Sequence, residues 1–228
     1  MAAVVTFDAG QTLVELDLDF LARRLGERGV DVSPAALAAA APAAWKRYDE
    51  LNAAGIGHPW IELMRTLLAG AGVRDAQRLA EWLRDEQPRA NLWRKPIAPV
   101  IELAKELAGR GVTVAVLSNS EGGLRGLFEE IGLAREFRAI IDSGVVGIDK
   151  PDPRIFAHTL EQLGGRAEDA VHVGDSWTAD IVGAVGAGWR GAIYYPSRAN
   201  DAPAVLPARV TVARDADEMR RALAAFGI

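Results

Sequence analysis

Apolar positions along the chain fall into two rhythms, and the change from one to the other outlines the architecture. Residues 3–7, AVVTF, form a short continuous apolar run rich in β-branched side chains. That is the pattern of a strand buried on both faces. From 17 to 87 there is no convincing strand. Apolar residues recur there at helical spacing instead: Leu18, Leu21 and Leu25; then Leu37, Trp45 and Tyr48; then Ile61, Met64, Leu67 and Leu68. Ser33-Pro34 supplies a cap and a first-turn proline for the second helix, and residues 75–87 read as a fourth that ends before Pro88. Pro42, inside the alanine-rich stretch, predicts a kink or break.

After the helical stretch the pattern alternates. Strands are expected at 112–118 (VTVAVLS), 137–141 (FRAII), 170–174 (AVHVG) and 191–195 (GAIYY). Helices are expected at 97–110, 121–132, 153–164, 177–188 and 216–226. Strands alternating with helices imply a parallel sheet covered on both faces. The expected fold class is therefore α/β. A doubly wound, Rossmann-like core of residues 1–15 and 89–228 is interrupted after its first strand by an all-helical cap, residues 16–88. No internal repeat is present.

Composition narrows the function classes. The chain has 228 residues, half of them apolar and a quarter charged, which suits a globular protein with a sizeable core. A net charge of -5 gives no reason to expect nucleic acid or an anionic membrane as partner. There is no cysteine, so disulfides and thiolate metal sites are excluded, which fits a cytoplasmic protein. No uncharged apolar run reaches membrane-spanning length, and the start lacks a basic-then-apolar leader pattern. The first strand opens almost at Met1, so little is expected ahead of the fold.

In open α/β sheets, ligands bind beyond the carboxyl ends of the strands. Four expected strand ends carry polar residues suited to chemistry. Asp8 follows the first strand, and Ser118-Asn119 follows VTVAVL. Lys150 follows IIDSGVVGID, and Asp175, with Ser176 and Asp180, follows AVHVG. Singly, each has a plain structural reading: a helix cap, a turn former, a solvated loop lysine. Together they place carboxylates, a lysine and a hydroxyl at one edge of one sheet, and independent caps do not explain that convergence.

Over its whole length the chain resembles the haloacid dehalogenase superfamily of hydrolases. FDAGQTL resembles the first motif, VLSNS the second, GIDKPDPRIF the third and HVGDSWTADIVGAVGAGW the fourth, in that order. The resemblance implies that Asp8 is a nucleophile forming an aspartyl-phosphate. It implies that Asp8, Asp175 and the backbone carbonyl of Gly10 hold Mg²⁺. Asp180 would orient Lys150 or a metal-bound water. Ser118, Asn119, Lys150 and Thr12 would serve the phosphoryl group, with Lys150 offsetting its charge.

Gly10 departs from the pattern. Phosphatases of this superfamily carry an Asp there as general acid and base. Four readings follow: a Mg²⁺-dependent phosphatase of a small phosphorylated metabolite, favouring good leaving groups; a 2-haloacid dehalogenase, whose halide leaves without a proton; a phosphonate hydrolase, which needs a cap lysine, here Lys46; and a non-catalytic phosphate-binding or interaction protein. The dehalogenase reading is weakened by Asp175, which such enzymes typically lack. His58 is a candidate substitute proton donor or a surface turn residue. His172 reads as a satisfied core histidine. Trp177 lines an entrance or packs the core. Trp45, Trp60 and Trp82 read as cap core. GAVGAG, 183–188, lies late in a helix, where a dinucleotide loop is not expected.

Overall fold

A computed structural model of the chain describes residues 2–56, 59–196 and 205–228. His58 lies outside the described residues. Two compact units make up the chain, one of residues 1–16 and 93–228, the other of residues 17–92.

In chain order the elements are β1 (Val4–Phe7), β2 (Val14–Leu16), α1 (Leu18–Gly26), α2 (Pro34–Ala53), α3 (Trp60–Gly70) and α4 (Ala76–Glu86). There follow β3 (Trp93–Pro96), α5 (Ala98–Gly109), β4 (Thr113–Ser118), α6 (Leu124–Glu130), β5 (Ile140–Asp142) and α7 (Ser143–Val146). The chain continues with α8 (Pro153–Leu163), β6 (Ala170–Gly174), α9 (Gly183–Gly186), β7 (Gly191–Tyr194), β8 (Val210–Val212) and α10 (Ala216–Ala225).

The first unit is built on a six-stranded sheet in the order β5-β4-β1-β6-β7-β8, with every pairing parallel. β1 is central and fully buried, which is why its sequence is apolar throughout. One face buries Val5, Phe7, Val171 and Val173 against α5, α6 and α10. The other buries Val4, Ala170 and Ala192 against α8 and α9. The order reverses around β1, with β4 on one side and β6 on the other. Such a switch point opens a crevice at the strands' carboxyl ends.

In the second unit, α2 packs on α1 and α3, and α3 on α4. Leu21, Leu25, Leu37, Leu63, Met64, Leu67, Leu68 and Leu83 are buried there. Gly70 permits a close approach, because a Cβ on it would lie 3.0 Å from that of Ala40.

Several expectations are corrected. α2 runs unbroken through Pro42. Pro42 and Ala38 are both exposed, so the carbonyl that loses its partner lies on the solvated side. The strand expected at 137–141 begins at Ile140 and ends at Asp142. β2 and β3 pair as a small antiparallel ribbon, and β8 extends the sheet; neither was foreseen, because three or four residues are too few to show a period. The helix expected over 177–188 is a π-helical turn, Trp177–Val182, followed by the short α9. Of the three tryptophans only Trp60 is core; Trp45 and Trp82 are half-buried, with Trp82 stacked under Arg24 and Arg28.

Candidate active site

Asp8 is the first residue past β1, and its backbone N–H donates to the Val173 carbonyl at 2.8 Å, so the edge of β6 fixes its position. The chain then turns tightly. Leu13 and Val14 N–H groups both donate to the Ala9 carbonyl at 2.9 Å, and Gln11 takes the left-handed region at φ 59°. Gly10 does not share that conformation, and a Cβ on it would meet Trp93 Cδ1 at an ordinary 3.6 Å. The missing side chain at position 10 is therefore not imposed by backbone or space.

Lys150 comes in from the loop ahead of α8. Its ammonium donates to Asp8 Oδ1 at 2.7 Å, Asp180 Oδ1 at 2.6 Å and the Leu117 carbonyl at 2.8 Å. An ammonium has three donors, and all three are used. Asn119 locks the lysine's backbone: its side-chain amide donates to the Lys150 carbonyl at 2.9 Å and accepts from the Lys150 N–H at 2.8 Å. Expected as a substrate ligand, Asn119 thus spends its side chain on Lys150 and leaves a ligand only its backbone.

Asp180 is delivered by the π turn. Asp180 and Ile181 N–H groups both donate to the Ser176 carbonyl, and Ser176 N–H donates back to Asp180 Oδ2 at 2.8 Å. A π turn of this kind shifts side chains out of α-helical register and recurs at functional sites. Asp180 Oδ1 also lies 3.1 Å from His172 Nε2. Asp8, Asp175 and Asp180 each place a carboxylate oxygen within 4.8 Å of the others. Asp175 is half-buried at the end of β6.

The electrostatics follow from burial. Burial pushes Asp8 above the usual carboxylate range; Lys150 opposes this, while Asp180 adds to it. Burial alone would lower Lys150 and raise Asp180, but it is outweighed at Lys150 by Asp180 and Asp8 together, and at Asp180 by Lys150 and His172 together. Lys150 ends above its ordinary value and Asp180 well below the carboxylate range. Three clustered carboxylates face one buried ammonium. The clustered carboxylates form a donor set of hard oxygens that suits a divalent cation. Asp180 has both oxygens engaged by protein donors, which leaves it less open to a cation than its place in the cluster suggests.

The remaining expected residues are less direct. Ser118 is buried at the end of β4, next to the carbonyl that Lys150 grips, and its hydroxyl lies 3.5 Å from the Asn119 carbonyl. Thr12 is fully buried and its hydroxyl has no hydrogen-bond partner among the described residues, which places it inside the turn rather than on an open surface. Trp177 stacks edge-on against Tyr194, and Lys46 is exposed on α2.

One organising residue was missed in the sequence, and the partner of another was not foreseen. Asp142 ends β5 and accepts from the N–H groups of Gly122, Leu124 and Gly144, holding the loop after Ser118. The strand-end rule that found Asp8 applies to it equally, since it directly follows the strand expected at 137–141. His172 is a satisfied core histidine, as its place in a strand suggested, but its partner is Asp180.

Comparison with known proteins agrees with this geometry. The sequence pattern of the haloacid dehalogenase-like hydrolases matches residues 3–188. The bovine (Bos taurus) haloacid dehalogenase-like hydrolase domain-containing protein 3 is 31% identical over 199 residues, covering 79% of this chain and 77% of its own. Phosphoserine phosphatase from Thermus thermophilus is 36% identical over 155 residues, 65% of this chain and 61% of that one. Among solved structures, the hydrolase YfnB of Bacillus subtilis superposes with a TM-score of 0.67 at 20% identity, over 97% of this chain and 98% of the other. The chain belongs to the haloacid dehalogenase-like hydrolases.

Proposed function

We propose that the protein is a Mg²⁺-dependent phosphatase of a small phosphorylated metabolite, working through an aspartyl-phosphate on Asp8. The observation that carries this reading is Lys150 bridging Asp8 and Asp180 within a three-carboxylate cluster at the switch point of the sheet. The similarity to a phosphoserine phosphatase supports the reaction class.

In this reading the Asp8 carboxylate attacks phosphorus as the bond to the leaving oxygen breaks, and water then cleaves the acyl-phosphate to release inorganic phosphate. Lys150, held by three acceptors, offsets charge on the nucleophile and the phosphoryl group without having to move. Asp180 keeps the lysine ionised and aimed. Asp8, Asp175 and the Gly10 carbonyl would hold the cation, which when bound supplies positive charge that keeps Asp8 ionised and polarises the phosphoryl oxygens. Ser118 and backbone N–H groups beside it would receive phosphate oxygens, with Thr12 supporting the turn. Gly10 offers no proton to the leaving group, so esters of acidic alcohols turn over faster than alkyl phosphates.

A panel of aryl and alkyl phosphates, a phosphonate and 2-haloacids, run with and without Mg²⁺, tests the reading. The expected result is metal-dependent phosphate release, fastest from aryl esters and lost in Asp8→Asn. Halide release without metal, cleavage of the phosphonate with dependence on Lys46, or phosphate binding with no turnover would each replace it.

A further inference from the structure

The hydrogen bonds that hold Lys150 continue past Asp180 into the sheet. His172 Nε2 meets Asp180 Oδ1 at 3.1 Å, and His172 Nδ1 meets Thr6 Oγ1 at 2.7 Å. Thr6 and His172 are register partners on adjacent strands β1 and β6, and both are fully buried. Phe156 and Trp189 meet the imidazole edge-to-face, with ring centroids 5.9 and 6.2 Å away. The imidazole is thus held by two strands and two aromatic rings.

The direction of each bond follows from its partners. The ionised Asp180 carboxylate can only accept, so the nitrogen facing it carries the hydrogen. Burial, reinforced by the charge of Lys150, lowers the pKa of His172 against the pull of Asp180, so the ring is neutral near pH 7. A neutral ring with hydrogen on Nε2 has a lone pair on Nδ1, and the Thr6 hydroxyl donates to it. Asp180 cannot turn away: the Ser176 N–H holds Oδ2, and Gly174 backs the carboxylate so closely that a Cβ there would overlap it.

We propose that Thr6 and His172 are positioning residues for the catalytic lysine: Thr6 sets the imidazole tautomer, His172 pins Asp180 Oδ1, and Asp180 holds Lys150 against Asp8. The inference rests on the reading of Asp8 and Lys150 given above. Neither Thr6 nor His172 touches substrate; both act through Asp180.

The test compares His172→Leu, which removes the donor, with His172→Gln, which keeps an N–H near the place of Nε2. Thr6→Val removes only the hydroxyl. His172→Leu is expected to lower kcat about 10–100-fold with KM little changed, the range typical of residues that orient a site's direct ligands. His172→Gln is expected to recover most of that loss, and Thr6→Val to lower kcat several-fold. In metal-free wild-type protein, nitrogen resonances should report the neutral Nε2–H tautomer of His172. The buried Lys150 ammonium signal should move in His172→Leu and stay in His172→Gln. An Nδ1–H tautomer, or a Lys150 signal and kcat unchanged in His172→Leu, overturns the proposal. Should His172→Leu not fold, Thr6→Val and the wild-type tautomer still decide it. Turnover that survives Asp8→Asn overturns the reading of the active site instead, and leaves the resonance measurements to judge the positioning role.

Discussion

Gly10 is the residue on which the chemistry of this chain turns. A Cβ there finds only ordinary contact, 3.6 Å from Trp93 Cδ1 and 4.0 Å from Asp8 Oδ2, and the backbone is outside the left-handed region. Gly10→Asp should therefore fold and place a carboxylic acid beside the nucleophile. Hydrolysis of alkyl phosphates is expected to rise by one or two decades, about 1.4–2.8 kcal/mol of barrier, with a smaller gain for aryl esters. A folded, cation-binding Gly10→Asp protein with unchanged alkyl phosphatase activity would show that the missing acid is not what limits the reaction. His172 carries a second prediction. Its pKa is depressed in the folded chain, first by burial. Below about pH 6.5 the unfolded chain binds a proton that the folded one refuses, so stability falls as pH drops from there toward the folded pKa, by up to about 1.4 kcal/mol per pH unit. Urea unfolding between pH 5 and 7.5 should show the stability advantage of wild type over His172→Gln shrinking on the acid side. A difference independent of pH would mean that the folded ring titrates normally.

At the scale of elements, β6 and the π turn behind it form one device. Gly174 ends the strand, Asp175 follows it, and Trp177–Val182 winds with a wider turn that brings Asp180 back against Gly174. A Cβ at 174 would overlap Asp180 Oδ2 and Cγ and lie 2.7 Å from its Cβ. Asp180 cannot yield freely, because Lys150, His172 and the Ser176 N–H hold it. Gly174→Ala should therefore cost about 1–3 kcal/mol of stability, as overpacking does, and lower kcat by a decade or more. Gly186→Ala is the control: nothing lies within 4 Å of its Cβ and it sits in α9, so it should be neutral or slightly stabilising. Equal melting temperatures and equal kcat for Gly174→Ala and wild type would show that Asp180 is not wedged.

At the scale of the whole molecule the controlling quantity is charge. The chain carries a net -5, and three of its carboxylates converge on one site against one buried ammonium. A divalent cation that binds the folded chain alone stabilises it by about 2.7 kcal/mol at a hundred times its Kd. For a chain of this size that is a rise in Tm of roughly 5–11 °C. Mg²⁺ should produce such a rise in wild type and little of it in Asp175→Asn, with chelator reversing it. An equal rise in both proteins would place the stabilising cation elsewhere. Among the described residues no helix is long and apolar enough to cross a membrane.

The sequence by itself determined the alternation of strand and helix, the helical stretch after β1, and the strand ends at which Asp8, Ser118 and Asp175 stand; Lys150, expected at a strand end too, sits instead in the loop between α7 and α8, because β5 stops at Asp142. These are local properties: burial on two faces writes a continuous apolar run, helical burial writes a three-to-four spacing, and both are visible within a few residues. Elements too short to show a period, such as β2, β3 and β8, were invisible for the same reason. Only the tertiary structure decided what the polar residues do to one another. Asn119 clamps a lysine 31 positions away, Lys150 reaches Asp8 across 142, and Thr6 meets His172 across 166. Those pairings depend on sheet order, on register and on a π turn in place of an α turn. Each of these is fixed by packing between distant segments, and no local pattern of residues records it.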